Sequence, residues 1–194
     1  MSKKIAVFPG SFNPIHIGHS AIANYVVAFT DTDELWLVVS PQNPFKKTSE
    51  LADFEHRFES VRIAVEFSGL PIVVSDIENR LAKPSYTINM LDGISRLHPD
   101  YDISLLMGSD NIPRFGEWKD HEKILEKYRL MVYPRLGFDV TEQAAKYGAK
   151  LIDAPVIEVS STFIREALNK KLNVKAFMPP GVYEYICRNK LYIK

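Results

Sequence analysis

Short apolar segments alternate with longer amphipathic segments along the whole chain, and this alternation constrains the fold more than any other feature. The apolar segments are typical of buried strands. They lie at Ile5–Pro9, Leu35–Val39, Pro71–Ser75, Ile103–Met107 and Leu130–Tyr133, with a weaker one between Lys150 and Val159. Strands that alternate with helices pair in parallel, because each right-handed crossover lays its helix on a face of the sheet. The sequence therefore predicts an α/β fold with a doubly wound parallel sheet of five to six strands and helices on both faces.

The segments between the strands have helical spacing. Ile22, Tyr25, Val26 and Phe29 follow the i, i+3, i+4, i+7 pattern of one helix face. Further helices are predicted from Phe54, Phe58, Val61 and Val65, over Ser85–Leu97, from Trp118, His121, Leu125 and Tyr128, and over Val140–Tyr147, Ser161–Leu168 and Val182–Lys190. Repeats, low-complexity tracts and flexible linkers are absent from the sequence. We expect a single domain over residues 1–194, with a helical C-terminal part from about residue 161.

Composition excludes several classes of protein. Lys plus Arg equal Asp plus Glu at 24 each among 194 residues, so the basic excess of a typical nucleic-acid-binding protein is missing. The longest apolar stretches have about five residues, against the ~20 needed to span a membrane. The N-terminus leads into the first strand without the apolar region of a signal peptide. The single cysteine, Cys187, cannot form an intrachain disulfide. We expect a cytoplasmic protein that binds neither nucleic acid nor membrane.

The position of a ligand site follows from the predicted sheet. In open α/β sheets, ligands bind outside the carboxyl ends of the strands. Most of the unusual residues of this chain lie in the six loops that leave those ends. These loops are Gly10–His19, Pro41–Thr48, Asp76–Thr87, Gly108–Trp118, Pro134–Asp139 and Ser160–Arg165.

The loop after the first strand, Gly10–His19, carries the strongest signal of chemistry. Gly10 can adopt backbone angles that other residues cannot, and main-chain N–H groups before a helix favour phosphate. His16 and His19 are three residues apart, so a helical turn beginning near Ile15 directs both imidazoles into one pocket. Two imidazoles beside an anion site can donate hydrogen bonds to a phosphoryl oxygen. Two alternatives stay open at this point: a metal-binding pair, which lacks a third ligand, and a structural loop with capping histidines.

A second polar segment, Val159–Arg165, precedes the helix predicted over Ser161–Leu168. Three hydroxyl residues before an apolar helical run are typical of a helix N-cap. Ser161 and Thr162 can also offer hydroxyl and N–H groups to phosphates. Arg165 lies one turn further on and can bind the same oxygens in a fork. From spacing alone, a simple cap and a phosphate site are both open.

These two segments resemble known signatures. GSFNPIHIGH resembles the T/H-x-G-H loop of nucleotidyltransferases, and Val159–Arg165 resembles the S-S-T-x-I-R signature of nicotinate/nicotinamide mononucleotide adenylyltransferases. Three more segments resemble the bacterial nicotinate-nucleotide adenylyltransferases, in order along nearly the whole chain. They are Lys83–Thr87, Met107–Asp110 with Trp118 behind it, and the ending from Met178 to Tyr192. An H-x-G-H loop alone is also found in cytidylyltransferases and phosphopantetheine adenylyltransferase. The combination is specific for the narrower family, with a Rossmann-like nucleotidyltransferase domain.

The resemblance implies adenylyl transfer from ATP to nicotinate mononucleotide, which yields nicotinate adenine dinucleotide and pyrophosphate. It implies Mg²⁺ accompanying ATP, with few or no protein ligands. The residues it implies for ATP are Gly10, Ser11, Phe12, Gly108 and Asp110 around the nucleotide, and His16, His19, Ser161, Thr162 and Arg165 at its phosphates, with His16, His19 and Arg165 catalytic. Those it implies for the pyridine nucleotide are Thr87 and Trp118 at the ring, and Arg135 and the loop from Gln42 to Lys46 at its phosphate.

Two departures and two alternatives accompany this interpretation. Asn13 stands where many members have Asp, and Phe45 stands where many have His. One alternative is a related nucleotidyltransferase that uses nicotinamide mononucleotide or another phosphate acceptor. The other is a nucleotide-binding regulator that has lost catalysis, which the intact His16, His19 and Arg165 disfavour. The partners expected are the two small substrates and a possible second copy in a homo-oligomer.

Overall fold

The computed structural model describes residues 2–41 and 51–193, which form a six-stranded parallel sheet covered by helices. In chain order the strands are β1 (Lys3–Gly10), β2 (Glu34–Val39), β3 (Ile72–Ser75), β4 (Tyr101–Gly108), β5 (Arg129–Tyr133) and β6 (Lys150–Leu151). Across the sheet they run β3-β2-β1-β4-β5-β6, and each neighbouring pair is parallel. The doubly wound parallel sheet predicted from the sequence is confirmed.

The α-helices in these residues follow the predicted order. They are α1 (Ile17–Phe29), α2 (Phe54–Glu66), α3 (Thr87–Leu97), α4 (His121–Lys127), α5 (Thr141–Lys146), α6 (Ser161–Asn169) and α7 (Val182–Arg188). Short 3₁₀ helices lie at Ile77–Arg80, Ser109–Glu117 and Lys175–Phe177. Among residues 2–41 and 51–193, no helix has the length and apolar character needed to cross a membrane.

Side chains alternate between the two faces of the sheet and form two cores. On β1, Ala6 and Phe8 pack on the face covered by α1, α2, α6 and α7. Ile5 and Val7 pack on the opposite face, against α3, α4 and α5. Burying each large apolar side chain contributes about 1.5–3 kcal/mol, so the two cores fix the sheet on which the loops stand.

The strand order reverses at β1, which lies between β2 and β4. The loops that leave β1 and β4 therefore turn toward opposite faces and open a crevice at the carboxyl edge of the sheet. The loop after β1 contains the histidine pair, and the loop after β4 begins at Ser109. The fold thus places the strongest sequence signal at the position where such sheets bind ligands.

Two local predictions are wrong. Gly108–Trp118 is predicted as a loop, but Ser109–Glu117 within it is a 3₁₀ helix. Trp118 was expected on the face of the next helix, but it is the extended residue that ends the 3₁₀ helix, and α4 begins three residues later at His121. The prediction failed because Pro113 and Gly116 interrupt regular α-helical spacing, while the tighter 3₁₀ turn accommodates them.

Candidate active site

The two histidines of the first loop stand against each other at the start of α1. His16 is the residue before the helix, which begins at Ile17, and His19 lies in its first turn. Their ring centroids are 3.7 Å apart, at an interplanar angle of 31°. The main-chain N–H of His16 donates to Nδ1 of His19 over 3.2 Å. A neutral His19 therefore carries its proton on Nε2, the nitrogen able to donate to a ligand.

The histidine pair lines a small open cleft. Three of the loops at the carboxyl edge of the sheet contribute to it: the loop after β1, the loop after β5 and the segment that follows β6. The lining residues are Phe8, His16, Gly18, His19, Ile22, Tyr133, Pro134, Arg135, Pro155, Val156 and Ile157. One basic side chain and two imidazoles in an otherwise largely apolar wall suit a ligand with an anionic group.

Two buried polar atoms in this cleft have no hydrogen-bond partner within the described residues. They are Nδ1 of His16 and Nε of Arg135. A buried polar atom without a partner costs about 1–3 kcal/mol, so such atoms are rare unless a ligand or water completes them. Both atoms lie in a cleft already identified from its lining, which makes that cleft the candidate ligand site.

Burial holds His16 neutral. Its side chain is 4% exposed, and desolvation, with a further contribution from the positive charge of Arg135, lowers its pKa from 6.5 to about 4. Near neutral pH this imidazole carries one proton on its ring, and it serves as a hydrogen-bonding group rather than as a cation.

The lowered pKa of His16 predicts a pH-dependent stability. The unfolded chain takes up a proton at His16 below about pH 6.5, whereas the folded chain resists protonation until about pH 4. The free energy of unfolding should therefore fall by up to about 3 kcal/mol as the pH drops from 6.5 to 4. Denaturant titrations across this range should show a smaller fall for His16→Gln. An equal fall for both proteins contradicts a buried neutral His16.

In the first loop, Phe12 and not Gly10 has the unusual backbone conformation. Gly10 ends β1, and φ is positive at Phe12 (42°) instead. A Cβ on Gly10 would lie 2.9 Å from the Phe12 ring, so the glycine makes room for that ring rather than supplying a left-handed turn. Phe12 is 1% exposed and packs edge-on against His19, with ring centroids 5.1 Å apart. Only the main chain of Phe12 is therefore available to a ligand.

The second polar segment packs directly on the first. Nη1 of Arg165 donates to the carbonyl oxygen of Asn13 over 3.0 Å, and the Ser161 hydroxyl donates to the carbonyl oxygen of Pro14 over 2.9 Å. These contacts join residues about 150 positions apart in the chain. They bring the two predicted phosphate segments to one place, which spacing alone did not establish.

The cap of α6 is Ser160. Its hydroxyl accepts a hydrogen bond from the Phe163 N–H over 3.1 Å. Thr162 is exposed, with its hydroxyl 3.4 Å from Nη2 of Arg165. The capping function and the predicted phosphate contacts therefore belong to different residues, so the simple-cap alternative does not account for Ser161, Thr162 and Arg165.

The loop after β4 approaches the same cleft through Asp110. Oδ1 of Asp110 lies 3.7 Å from Nε of Arg135, and the Ser109 hydroxyl accepts from the Arg135 main-chain N–H over 2.9 Å. A Cβ on Gly108 would overlap the Asp110 carboxylate, so the glycine makes room for that side chain in its present position. Arg135, implied for the pyridine nucleotide, is thus placed beside Asp110, implied for ATP.

The residues implied for the pyridine ring lie on the other face of the sheet. Thr87 is the first residue of α3, and Trp118 packs on Phe115 at a centroid distance of 5.5 Å. The histidine pair stands at the start of α1, on the opposite face. Gln42 and Lys46 lie outside the described residues, as does Phe45.

Sequence reasoning missed two buried charged residues, Arg57 and Glu78. Arg57 is 2% exposed and Glu78 is 8% exposed. A signal for Arg57 existed, since it stands three residues after Phe54 and four before Val61 on the predicted apolar face of α2. The buried face of that helix consists of Arg57, Ser60, Val61 and Ala64. An arginine within such a face indicates a guanidinium with buried partners.

The fold and the two joined loops define a nucleotidyltransferase. A family model described as cytidylyltransferase-like matches residues 7–167. Solved structures of a Plasmodium falciparum nicotinic acid mononucleotide adenylyltransferase, complexed with NaAD in one case and APC in another, superpose with a TM-score of 0.81. They are 24% identical to this chain, and the match covers 98% of it and 97% of theirs.

Sequence relatives narrow the family. A Flavobacterium johnsoniae protein named "Probable nicotinate-nucleotide adenylyltransferase" is 42% identical over 193 residues, covering 98% of this chain and 100% of its own. A Bacteroides thetaiotaomicron protein of the same name is 43% identical over 183 residues, covering 94% of this chain and 90% of its own. The chain belongs to the nicotinate-nucleotide adenylyltransferase family.

Proposed function

We propose that this protein transfers the adenylyl group of ATP to nicotinate mononucleotide, giving nicotinate adenine dinucleotide and pyrophosphate. The observation that carries the proposal is the pair of buried atoms without partners, His16 Nδ1 and Arg135 Nε, in one cleft beside the joined signature segments. A phosphate ester can supply the acceptor oxygens that both need. Family membership gives the reaction, and these atoms indicate where the phosphates bind.

The reaction needs positioning and charge stabilisation more than acid–base chemistry. A phosphate oxygen of the mononucleotide attacks the α-phosphorus of ATP, and the bond from that phosphorus to the bridging oxygen of pyrophosphate breaks. The attacking phosphate is already ionised, so no general base is required. Nε2–H of His19 and the neutral His16 are proposed to donate to the α-phosphoryl oxygens, where negative charge must be stabilised in the transition state.

Arg165 is proposed to bind the β- and γ-phosphates together with Ser161 and Thr162. One guanidinium nitrogen already holds the Asn13 carbonyl, which fixes the plane of the fork relative to the first loop. Charge-assisted hydrogen bonds from such a fork are roughly twice as strong as neutral ones. Main-chain N–H groups around Gly10, Ser11 and Phe12 would complete the phosphate site, with Gly108 and Asp110 toward the adenosine.

Mg²⁺ is proposed to enter with ATP. Residues 2–41 and 51–193 contain no group of three or more His, Cys, Asp or Glu side chains placed to hold a metal ion. Asp110, the carboxylate beside the cleft, forms an ion pair with Arg135 over 3.7 Å. The donor set therefore fits an ion bound mainly by phosphate oxygens and water, where it would offset part of the triphosphate charge.

The pyridine ring is proposed to lie by Thr87 and Trp118. The first turn of α3, which begins at Thr87, carries no acidic residue and no side-chain cap, so its N–H groups favour a carboxylate. The Glu117 carboxylate forms an ion pair with the Arg114 guanidinium, 2.9 Å away. The start of α4 does not offer the same donors, because Asp120 and Glu122 stand there. The N–H groups at the start of α3 are therefore the proposed source of the preference for nicotinate over nicotinamide.

Trp118→Ala is expected to raise the KM for nicotinate mononucleotide several-fold with little change in the KM for ATP. Stacking of an indole on a flat ring contributes about 0.5–1.5 kcal/mol beyond burial, which is about a two- to twelve-fold effect. Steady-state kinetics with each substrate varied in turn measure both constants. Trp36, buried in the sheet on the same face, offers a control: Trp36→Phe should leave both KM values unchanged. If Trp118→Ala raised the KM for ATP more than the KM for nicotinate mononucleotide, Trp118 would not lie at the pyridine ring.

The proposed reaction is tested by stoichiometry. Purified protein supplied with ATP, Mg²⁺ and nicotinate mononucleotide should release pyrophosphate and form the dinucleotide in equal amounts. Release of orthophosphate, or binding of ATP without turnover, contradicts the proposal and favours the nucleotide-binding regulator.

A further inference from the structure

The guanidinium of Arg57 connects several loops at the carboxyl edge of the sheet. It comes from α2, and four main-chain carbonyl oxygens accept hydrogen bonds from it. Nη1 donates to Ser11 over 2.8 Å and to Ser40 over 2.7 Å, Nη2 donates to Pro41 over 3.0 Å, and Nε donates to Ala52 over 2.9 Å. One side chain thus joins the loop after β1 to the loop after β2.

Ala52 and Asn13 add a second tie between these segments. The Ala52 N–H donates to Oδ1 of Asn13 over 3.0 Å, while its carbonyl accepts from Arg57. An aspartate, which many members carry at position 13, has the same acceptor oxygen. The departure at Asn13 therefore preserves this contact.

The buried carboxylate of Glu78 extends this hydrogen-bond network to the loop after β3. The Ser40 hydroxyl donates to Oε2 of Glu78 over 2.7 Å, and the Ser85 hydroxyl donates to Oε1 over 2.6 Å. Ser85 is two residues before Thr87. Ser40 therefore links the two buried charged side chains: its carbonyl oxygen accepts from Arg57, and its hydroxyl donates to Glu78.

We propose that Arg57 is a positioning residue for adenylyl transfer, and that Ser40 and Glu78 extend its hold, so that the ATP loop and the segment before Thr87 are fixed relative to each other. The inference rests on the function proposed above.

The contact with Ser11 shows how such positioning operates. The Ser11 carbonyl belongs to the peptide plane that precedes Phe12, whose φ of 42° is costly for a residue with a side chain. Because a trans peptide is planar, fixing its carbonyl toward Arg57 directs the Phe12 N–H to the opposite side. Arg57 thus sets the direction of a main-chain donor in the loop proposed to bind phosphates.

Lysine cannot replace this residue. A lysine ammonium is a compact charge with three donors on a single nitrogen, whereas Arg57 uses three nitrogens in a fixed plane to reach four carbonyls. Removing the fork leaves at least one buried carbonyl without its donor. Misplacement of substrates by about 1 Å can cost a factor of about 10² in rate.

Arg57→Lys is the test, with Arg62→Lys as the matched control on the same helix. Arg62 is exposed and pairs with Glu59 and Glu66. At a temperature well below unfolding, kcat per folded molecule should fall about 10²-fold for Arg57→Lys and less than two-fold for Arg62→Lys. A lowered Tm with unchanged kcat shows a merely structural role and overturns the inference.

An Arg57→Lys variant that does not fold shows a structural role and overturns the inference, and Ser40→Ala tests the extension through Glu78 separately. It removes only the hydroxyl that donates to Glu78. We expect kcat to fall about ten-fold and the KM for nicotinate mononucleotide to rise. Wild-type kinetics for Ser40→Ala overturn the extension through Glu78.

The ATP-induced rise in Tm, measured in parallel, separates this inference from the proposed function. A smaller rise in Arg57→Lys supports positioning of the ATP loop even if the wild-type protein transfers no adenylyl group. An unchanged rise overturns it.

Discussion

His19→Ala is expected to lower kcat about 10²–10³-fold while leaving the fold intact. The imidazole lines the cleft, and removing one donor to a developing oxyanion has a cost of this size. The His19 ring contacts the rings of Phe8, Phe12 and His16 but is only half-buried, so the core should persist. Pre-steady-state turnover and circular dichroism measure the two halves of the prediction.

His19→Asn separates catalysis from helix capping. The asparagine oxygen can still accept the His16 main-chain N–H, as Nδ1 of His19 does, but no group remains at the position of Nε2. The loss of kcat should match that of alanine. Recovery of turnover in the asparagine variant would show that His19 acts only by holding the start of α1.

Arg165→Lys is expected to lower kcat/KM for ATP about 10–100-fold, and to affect nicotinate mononucleotide far less. Lysine keeps the charge and loses the fork, and one charge-assisted hydrogen bond contributes about 1.5–3 kcal/mol. The variant also loses the planar contact to the Asn13 carbonyl. Binding of each substrate, measured separately by calorimetry, gives the comparison.

Equal losses of affinity for both substrates would place Arg165 outside the triphosphate site. The guanidinium would then act on the fold as a whole through Asn13. Ser161→Ala provides a reference, because it removes the contact to the Pro14 carbonyl and leaves the arginine in place. Its effect on ATP should be smaller than that of Arg165→Lys.

The architecture was predictable because each element carries its own pattern. Short apolar runs at Leu35–Val39 and Ile103–Met107 are too brief for helices, and they fall within β2 and β4. Buried parallel strands need no partner-specific signal beyond apolar character, so the topology follows from alternation and right-handed crossovers. The irregular stretch around Trp118 was not predictable in the same way, since 3₁₀ turns lack a distinct period.

The candidate site was predictable in its residue types and less so in its arrangement. His16 and His19 were identified by spacing and resemblance, and their close contact depends on the turn at the start of α1. The joining of Arg165 to Asn13 depends on the tertiary fold. The position of Arg57 on the apolar face of α2 indicated burial, but its partners are main-chain carbonyls, which leave no trace in the sequence.

The central claim is tested most directly by kcat/KM for a panel of phosphate acceptors, with dinucleotide formation and pyrophosphate release as readouts. The panel holds ATP constant and compares nicotinate mononucleotide, nicotinamide mononucleotide and phosphopantetheine. The account predicts turnover with the pyridine nucleotides and a strong preference for nicotinate mononucleotide, because N–H donors at the start of α3 suit a carboxylate and leave an amide NH₂ unpaired. Equal values for the two pyridine nucleotides, a preference for the amide, or turnover with phosphopantetheine alone would contradict it.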